Sequence, residues 1–313
     1  MPSTIRIGTR QSPLALWQAE HVAGMLQAQG FSVELVRITT SGDVLKGSLS
    51  QSGGVGLFTK EIQRALLEDR CDVAVHSLKD LPTEPIEGLC LSAVPEREDP
   101  SDCLITRDGG DLDALPSGSV VGTGSPRRRA QLVQNRPDLN LSEIRGNVDT
   151  RLKKLAAGDY DAIVLAYAGL HRLGLDHVIS QKLPMSLMIP AVGQAALGLE
   201  TRQDDATTIE AIRTLDHPET HWSVYSEREV LRRLRAGCLA PVAAHARRIE
   251  DRFEMQCRVF SSDFARSVYA DHSIPVPGNS PLHQELAERL VQGMMDQLHA
   301  QRAEELIEDT RRP

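Results

Sequence analysis

Short apolar runs alternate with helical patterns along the first two-thirds of the chain. The predicted elements are strands at 5–8, 33–39 and 72–77 and helices at 13–29 and 57–69. Ser12 and Pro13 mark the start of the first helix, and Gly30 stops it. The third strand is almost wholly apolar, which is typical of a sheet covered on both faces. Strands that alternate with helices indicate parallel βαβ units, so we expect an α/β fold.

Two stretches of the chain share a local pattern. Residues 7–13 and 121–126 both run from a strand through Gly-Thr and a short turn into a Ser-Pro helix start. Residues 72–75 and 161–164 both begin with Asp, follow a helix and open a strand. These echoes predict two lobes of similar build that begin near residues 1 and 102. The alternative, that all such junctions look alike, stays open at this point.

The last hundred residues follow a different pattern. Residues 217–235 are helical, 253–261 and 266–273 are strand-like, and 281–307 predict one long helix capped by Ser280. This order favours a small α+β domain. The predicted domains are 1–99 with 195–215 (lobe 1), 100–194 (lobe 2, with a basic cleft) and 216–313 (C-terminal α+β domain).

Residues 41–56 are rich in Gly and Ser. A loop of this length in a compact domain is either a lid or a plain connection. Its place before a helix, and near a strand that ends in charged residues, favours the lid.

Charge narrows the choice of ligand. The chain carries a formal net charge of −8, which makes it a poor general binder of nucleic acid or anionic membrane. Residues 125–154 nevertheless hold eight Lys or Arg against three Asp or Glu. An anionic small molecule is therefore expected at this local basic cluster.

Other sequence features place the chain among intracellular proteins. The N-terminus shows no secretory pattern, and no run approaches the roughly 18 apolar residues of a membrane span. The five cysteines are scattered without a Cys-x-x-Cys pair, which argues against disulfides and structural zinc. We expect a cytoplasmic monomer without a metal and without a nucleic-acid or membrane partner.

Arginines surround the two Ser-Pro helix starts. A helix N-terminus attracts anions, so cations there oppose the helix dipole and make sense beside a bound anion. Arg10 precedes the first helix, and Arg127 and Arg128 lie in the first turn of the second. Arg145 and Arg151 flank another strand-to-helix junction. Ligands bind beyond the carboxyl ends of parallel strands, and guanidinium forks suit carboxylates, although solvated arginines are the alternative.

Two further residues are candidates for chemistry. Asp80 follows the third strand and is placed to face a cleft, where a carboxylate stabilises cations and moves protons. Lys79 beside it is suited to a substrate anion, and a surface turn before Pro82 is the alternative. We read His76 as a packing or hydrogen-bonding histidine. Cys238 lies on a loop after a helix end, where a stable covalent attachment through sulfur is open.

Several motifs together resemble one enzyme family. They are Thr9–Gln18 (TRQSPLALWQ), His76–Pro82 (HSLKDLP), Arg145-Gly146-Asn147, Pro190–Gln194 (PAVGQ) and the Gly237-Cys238 loop. Their order and spread over nearly the whole chain resemble hydroxymethylbilane synthase, also called porphobilinogen deaminase. The combination is specific, although no single motif is.

The resemblance implies a fold and a reaction. It implies two periplasmic-binding-protein-like lobes with mainly parallel sheets, plus a small C-terminal α+β domain. It implies a dipyrromethane cofactor attached through a thioether to Cys238 and extended by four porphobilinogen units, each of which loses ammonia. Hydrolysis then releases linear hydroxymethylbilane for tetrapyrrole and heme biosynthesis.

The resemblance also implies roles for single residues. Asp80 matches the family's catalytic aspartate, which stabilises positive charge on pyrrole and azafulvene intermediates. The matches to cofactor-binding positions are Cys238, Lys79, Asp80, Thr123, Ser125, Arg127, Arg128 and Arg145. The matches to substrate-binding positions are Arg10, Ser12, Arg145, Arg151, Arg172 and Gln194.

Two positions depart from the family pattern. Val55 stands where many members carry lysine, which puts a cation on the lid in doubt. The sequence around Cys238 differs from the commoner Gly-Gly-Cys-Gln-x-Pro pattern, but the attachment residue is present. The main alternative function is a non-catalytic, two-lobed binding module for an organic anion. A phosphate-binding enzyme is disfavoured because the chain lacks a Gly-x-x-x-x-Gly-Lys-Ser/Thr loop.

Overall fold

A computed structural model describes residues 4–39, 59–237, 240–278 and 280–311 of the chain. The predicted lid at 41–56, including Val55, and the predicted attachment residue Cys238 lie outside these residues.

Thirteen strands occur in the described part of the chain. They are β1 (Ile5–Thr9), β2 (Val33–Arg37), β3 (Val73–Ser77), β4 (Leu89–Ala93), β5 (Asp102–Thr106), β6 (Val120–Gly122), β7 (Asn140–Ser142), β8 (Ala162–Ala166), β9 (Gln181–Lys182), β10 (Leu197–Arg202), β11 (Val242–Ile249), β12 (Arg252–Phe260) and β13 (Ser267–Pro275).

Nine α-helices accompany them in the same residues. They are α1 (Pro13–Ala28), α2 (Lys60–Leu67), α3 (Pro126–Asn135), α4 (Val148–Ala156), α5 (Tyr167–Arg172), α6 (Ala206–Arg213), α7 (Pro218–Arg233), α8 (Gln284–Ala300) and α9 (Ala303–Arg311). Short 3₁₀ turns lie at Leu78–Asp80 and Asp176–Val178.

The chain divides into two compact units. The first unit is Met1–Arg97 with Ala196–Trp222, and the second unit is Glu98–Ala195 with Ser223–Pro313. The predicted borders of three domains remain a prediction.

The first unit is built on a five-stranded sheet of order β2-β1-β3-β10-β4. Strands β2, β1 and β3 are parallel, whereas β10 runs antiparallel to both of its neighbours. Apolar side chains of α1, such as Val22 and Leu26, pack against one face of the sheet. Ile62 and Leu66 of α2 pack against the other face, so the sheet is covered on both sides.

The second unit repeats this design. Its five-stranded sheet has the order β7-β6-β8-β5-β9. In this sheet β5 runs antiparallel to both of its neighbours, β8 and β9, whereas β6 runs parallel to β7 and β8. Each lobe therefore has one antiparallel strand at the same place in its order, β10 in one and β5 in the other. A separate antiparallel sheet, β11-β12-β13, carries α8 and α9 in the C-terminal region. The predicted fold class, two α/β lobes with mainly parallel strands and a small C-terminal α+β domain, is confirmed.

The predicted repeat is confirmed in detail by two aspartates. Asp72 accepts a hydrogen bond from the backbone N–H of Arg6 in β1 at 2.8 Å. Asp161 accepts one from the backbone N–H of Val120 in β6, also at 2.8 Å. Each carboxylate ties the start of a strand to its parallel neighbour, β3 to β1 and β8 to β6, which explains the similarity of these two segments.

A glycine allows close packing at the same place in each lobe. A Cβ on Gly8 would lie 2.7 Å from the Sγ of Cys71. A Cβ on Gly122 would lie 2.8 Å from the ring of Tyr160. Both distances are shorter than a Cβ contact tolerates, so packing favours glycine at this position of the repeat.

The prediction of one helix over 281–307 was wrong. Ser280 donates its N–H to the carbonyl of Pro277 and lies in a turn, and α8 begins at Gln284 after the cap position His283. The helix then ends before Arg302, whose φ of 59° is left-handed. The chain continues as α9, which packs against β12 and β13.

Candidate functional site

The two predicted Ser-Pro helix starts are confirmed. The Ser12 hydroxyl accepts a hydrogen bond from the N–H of Ala15 at 3.3 Å, and Ser125 accepts one from the N–H of Arg128 at 3.5 Å. Pro occupies the first turn of both helices, where its missing N–H costs nothing. Each cap fixes the turn between a strand, β1 or β6, and the helix that follows it.

In the first unit, three of the predicted residues line one pocket. The pocket has a volume of about 90 Å³ and is lined by Arg10, Ser12 and Asp80, together with Gln18, His76 and Ser77. Asp80 lies in the 3₁₀ turn after β3 and is exposed, whereas Lys79 beside it is half-buried. The pocket thus combines a guanidinium with an accessible carboxylate, which can hold an anionic ligand and handle a proton.

The wall of this pocket is fixed by buried side chains. Gln18 of α1 is buried, and its amide donates to the Ser77 hydroxyl at 2.8 Å. His76 is 4% exposed, and its Nε2 lies 3.1 Å from Oε2 of Glu200, which is 6% exposed. The amide of Gln63 donates to both oxygens of Glu200, at 3.2 and 3.1 Å. The reading of His76 as a hydrogen-bonding histidine is confirmed.

In the second unit, Arg127 and Arg128 share one buried carboxylate. Asp102, at the start of β5, is 0% exposed. Arg127 Nη1 donates to its Oδ2 at 2.6 Å, and Arg128 donates to its Oδ1 through Nε at 2.9 Å and Nη2 at 2.7 Å. Because β5 is antiparallel, its first residue pairs with Ala166 at the end of β8 and reaches the carboxyl edge of the sheet.

These charges hold Asp102 ionised. Burial alone would raise the pKa of Asp102, but the nearby guanidiniums of Arg127 and Arg128 outweigh it and hold that pKa well below its usual range. Two buried cations facing one buried anion leave an excess of positive charge. Within the described residues, the buried Nε of Arg127 has no hydrogen-bond acceptor. An anionic ligand is the natural partner for this group.

A strained loop joins further predicted residues to Asp102. The side chain of Gln194 donates to Asp102 Oδ1 at 3.0 Å and to the carbonyl of Pro100 at 2.7 Å. Ala195 next to it has a left-handed φ of 72°, and Arg172 donates to its carbonyl at 2.7 Å. Burial lowers the pKa of Arg172 to about 10, against an opposing effect of Glu98, so the side chain remains cationic at neutral pH. Three arginines of the second lobe, Arg127, Arg128 and Arg172, are therefore buried.

Other predicted residues lie at the neighbouring turns. Thr123 is fully buried, and its hydroxyl accepts a hydrogen bond from the N–H of Ser125 at 3.3 Å. Arg145 pairs with Glu143, and Arg151 Nε donates to the carbonyl of Gly146 at 2.8 Å. Arg145 therefore lies in the turn between β7 and α4, and Arg151 of α4 contacts the same turn.

Four cysteines lie in the described residues, all as free thiols. Burial raises the pKa of Cys71 to about 11 and the pKa values of Cys103 and Cys257 to about 12, so these thiols are protonated and inert at neutral pH. Cys90 was expected to be buried and is only partly so.

Sequence reasoning missed two residues that organise these sites. Asp102 opens a strand whose five residues are all buried, and a charged residue at such a position requires a partner. Glu200 carries the same signal within β10, whose first five residues are buried. Their partners lie far away along the chain, so no local motif reveals them.

Two structural features are absent from the described residues. No helix there is long and apolar enough to cross a membrane. No group of three or more His, Cys, Asp or Glu side chains there is arranged to hold a metal ion.

Comparison with protein-family models gives two matches that together span most of the chain. Residues 5–210 match the model described as porphobilinogen deaminase, dipyromethane cofactor binding domain. Residues 222–292 match the model described as porphobilinogen deaminase, C-terminal domain.

Solved structures similar to this chain include three bacterial binding proteins or domains. A nutrient binding protein from Burkholderia cenocepacia bound to methionine is 12% identical, with 69% of this chain and 93% of that chain covered and a TM-score of 0.43. The methionine binding protein MetQ is 14% identical, with 72% and 93% covered and a TM-score of 0.43. The periplasmic VFT2 domain of Bordetella pertussis BvgS is 14% identical, with 72% and 92% covered and a TM-score of 0.42. Such low scores add nothing to the fold seen directly in the sheets.

Proposed function

Since the chain belongs to the porphobilinogen deaminase family, we propose that it acts as a hydroxymethylbilane synthase. It condenses four porphobilinogen molecules head to tail, with loss of ammonia, on a covalently bound dipyrromethane, and it then releases hydroxymethylbilane by hydrolysis. Family membership itself implies a transferase-type enzyme of porphyrin biosynthesis. The observation that carries the proposal is the match of residues 5–210 to a dipyrromethane-binding domain.

The buried charges of the second unit fit such a cofactor. Dipyrromethane bears acetate and propionate side chains, and the Nε of Arg127 is buried without an acceptor among the described residues. The one carboxylate of Asp102 already serves both Arg127 and Arg128, so a ligand carboxylate reduces the remaining positive charge. The residues proposed to hold the cofactor are Lys79, Asp80, Thr123, Ser125, Arg127, Arg128 and Arg145, with Cys238 as the point of attachment. When bound, the cofactor supplies the pyrrole carbon to which the first substrate is joined.

The first-unit pocket supports the chemical step. Each condensation breaks the C–N bond of the substrate's aminomethyl group and frees one proton from a pyrrole carbon. Asp80 is exposed at the pocket, so its carboxylate can stabilise the cationic substrate and accept this proton. Arg10 lines the same pocket, where its guanidinium can orient a substrate carboxylate. The residues proposed to bind substrate are Arg10, Ser12, Arg145, Arg151, Arg172 and Gln194.

The wider setting is part of the proposal. The enzyme is a cytoplasmic monomer of heme biosynthesis, and porphobilinogen is its small-molecule substrate. The acidic net charge of −8 is consistent with the absence of a nucleic-acid partner.

Intact-protein mass spectrometry tests the proposal. The purified protein is expected to carry a covalent dipyrrole adduct and to consume porphobilinogen. Cys238→Ser is expected to lose the adduct, whereas Cys90→Ser, at a partly buried cysteine elsewhere, keeps it. An unmodified wild-type protein that leaves porphobilinogen untouched would instead favour the non-catalytic binding module.

A further inference from the structure

The two lobes differ at a buried pair of residues to which the proposed reaction assigns no role. The sheet registers make residues of the lobes equivalent: Glu200 pairs with Ala74, and Ile105 pairs with Ile163. By the same registers, His76 at the end of β3 is equivalent to Leu165 at the end of β8. The first lobe thus holds a His-Glu pair where the second lobe holds Leu and Ile.

The second lobe shows that the fold does not need a polar pair here. Leu165 and Ile105 belong to an apolar cluster and are 5% and 3% exposed. Replacing a buried ionisable pair by well-packed apolar residues is often neutral or stabilising. The His-Glu pair of the first lobe therefore requires an explanation other than folding.

The hydrogen bonds of the pair set the state of the His76 ring. Both oxygens of Glu200 accept from the Gln63 amide, and Oε2 also lies 3.1 Å from His76 Nε2. Because a carboxylate only accepts, Nε2 carries the hydrogen of this bond. In the neutral ring, Nδ1 then has a free lone pair. Among the described residues Nδ1 has no hydrogen-bond partner, and His76 lines the pocket that contains Asp80.

We infer that His76 contacts the substrate: its Nδ1 accepts a hydrogen bond from the aminomethyl group of porphobilinogen, and Glu200 and Gln63 are positioning residues that hold the imidazole in the required tautomer. This inference rests on the proposed function. Different side chains of the pocket then bind the anionic and the cationic groups of the substrate. Arg10 serves the substrate carboxylates, whereas Asp80 and the Glu200-backed His76 serve its cationic nitrogen.

A double variant that gives the first lobe the residues of the second tests the inference. His76→Leu with Glu200→Ile is expected to load cofactor and to unfold at a urea concentration no lower than wild type. Its kcat/KM for porphobilinogen is expected to fall about tenfold or more, since a hydrogen bond to a charged group is lost. Binding of an analogue with methyl in place of aminomethyl, measured as competitive inhibition, is expected to stay unchanged. A purely structural role predicts lower stability and equal losses for both ligands, which would overturn the inference.

Two further variants keep the test decisive. If the double variant does not fold, Glu200→Gln preserves the shape and removes the charge behind His76. This variant should still lower kcat/KM for porphobilinogen more than it weakens binding of the methyl analogue. Equal effects on the two ligands would reject the inference. His177→Asn, at an exposed histidine in the second unit, is the control. It should change neither kcat/KM for porphobilinogen nor inhibition by the methyl analogue. A wild-type protein that lacks the adduct and activity would contradict the proposed function, whereas an active wild type with normal variants contradicts only the role of His76.

Discussion

The first helix turn of each lobe begins in the same way and then differs in charge. Pro13 is followed by Leu14 and Ala15, whereas Pro126 is followed by Arg127 and Arg128. The antiparallel strand beside them differs correspondingly: Leu197 opens β10 and pairs with Ser77, whereas Asp102 opens β5 and pairs with Ala166.

This difference shows how one scaffold produces two kinds of site. In the second lobe the arginines and the aspartate neutralise one another in part and leave a rigid cationic core. In the first lobe, Leu14 and Ala15 stand in place of the two arginines, and the polar side chains of Gln18, Ser77 and Asp80 line the pocket. Under the proposed function, the second lobe mainly holds the anionic groups of the ligand, and the first lobe handles the proton.

The largest expected effect concerns the first lobe. Asp80→Asn should lower kcat by about 100-fold or more, because general acid-base and electrostatic contributions of this size are lost with the charge. Asp80 is exposed, so stability should stay normal, and the cofactor should still load because asparagine keeps the size and hydrogen-bonding capacity of the side chain. Steady-state kinetics with intact-mass analysis checks this, and Glu84→Gln, at a nearby exposed carboxylate, serves as the control. Turnover close to wild type would remove Asp80 from the mechanism.

Breaking the ion network of the second lobe should have the next largest effect. Asp102→Asn leaves Arg127 and Arg128 buried without their carboxylate and should lower the free energy of unfolding by about 3–5 kcal/mol. Urea unfolding measures the change. Asp113→Asn, at an exposed residue of the same unit, should have almost no effect. If Asp102→Asn is equally harmless, the two lobes do not differ in the way described.

The third prediction concerns Arg127, whose proposed contact with the cofactor is a feature of the second lobe alone. Arg127→Lys keeps a cation but removes the buried Nε–H, so we expect a smaller fraction of protein with the dipyrrole adduct. The mass spectrum of freshly purified protein gives that fraction directly. Arg129→Lys, in the same helix turn, should load normally. Full loading of Arg127→Lys would show that its Nε–H does not serve the cofactor.

The paired glycines test whether the lobes really share one packing design. Gly8→Ala and Gly122→Ala should each lower the free energy of unfolding by about 1–3 kcal/mol, since the added methyl overlaps Cys71 or Tyr160. Gly24→Ala, on α1 with open space around it, should be neutral or stabilising by up to about 1 kcal/mol. Denaturant midpoints compare the three variants. A loss confined to one lobe would mean that the repeat is not equivalent at this position.

Acid should reduce the difference in the free energy of unfolding between wild type and Asp102→Asn. The pKa of Asp102 is lowered in the folded state, so the unfolded chain takes up this proton first as the pH falls. The stabilisation from Asp102 is complete above about pH 5 and declines below about pH 4, by at most about 1.4 kcal/mol per pH unit. Urea unfolding of both proteins between pH 6 and pH 3 measures the gap. A gap that widens towards acid would contradict the assigned sign.

Local signals in the sequence were sufficient for many of the elements but not for the long-range pairing between them. The Ser-Pro starts and the two Asp-led strands predicted the repeat because capping and strand formation depend on neighbouring residues. The antiparallel strands β5 and β10 were not predicted, because their pairing depends on residues far away along the chain.

The candidate site shows the same limit. Arg127 and Arg128 were read as facing a ligand, and the sequence gives no sign that Asp102 lies beneath both of them. His76 was recognised only as a hydrogen-bonding residue, since its partner Glu200 lies 124 positions further along the chain. Motifs identify such groups, but tertiary packing decides which of them remain available to contact a ligand.

The most direct test of the account follows the protein during its proposed reaction. Protein supplied with a few equivalents of porphobilinogen, quenched and analysed intact by mass spectrometry, should show a ladder of species that differ by one pyrrole unit, all absent in Cys238→Ser. A single unchanged mass, with the porphobilinogen still present, would contradict the central claim that this chain builds a tetrapyrrole on its own bound primer.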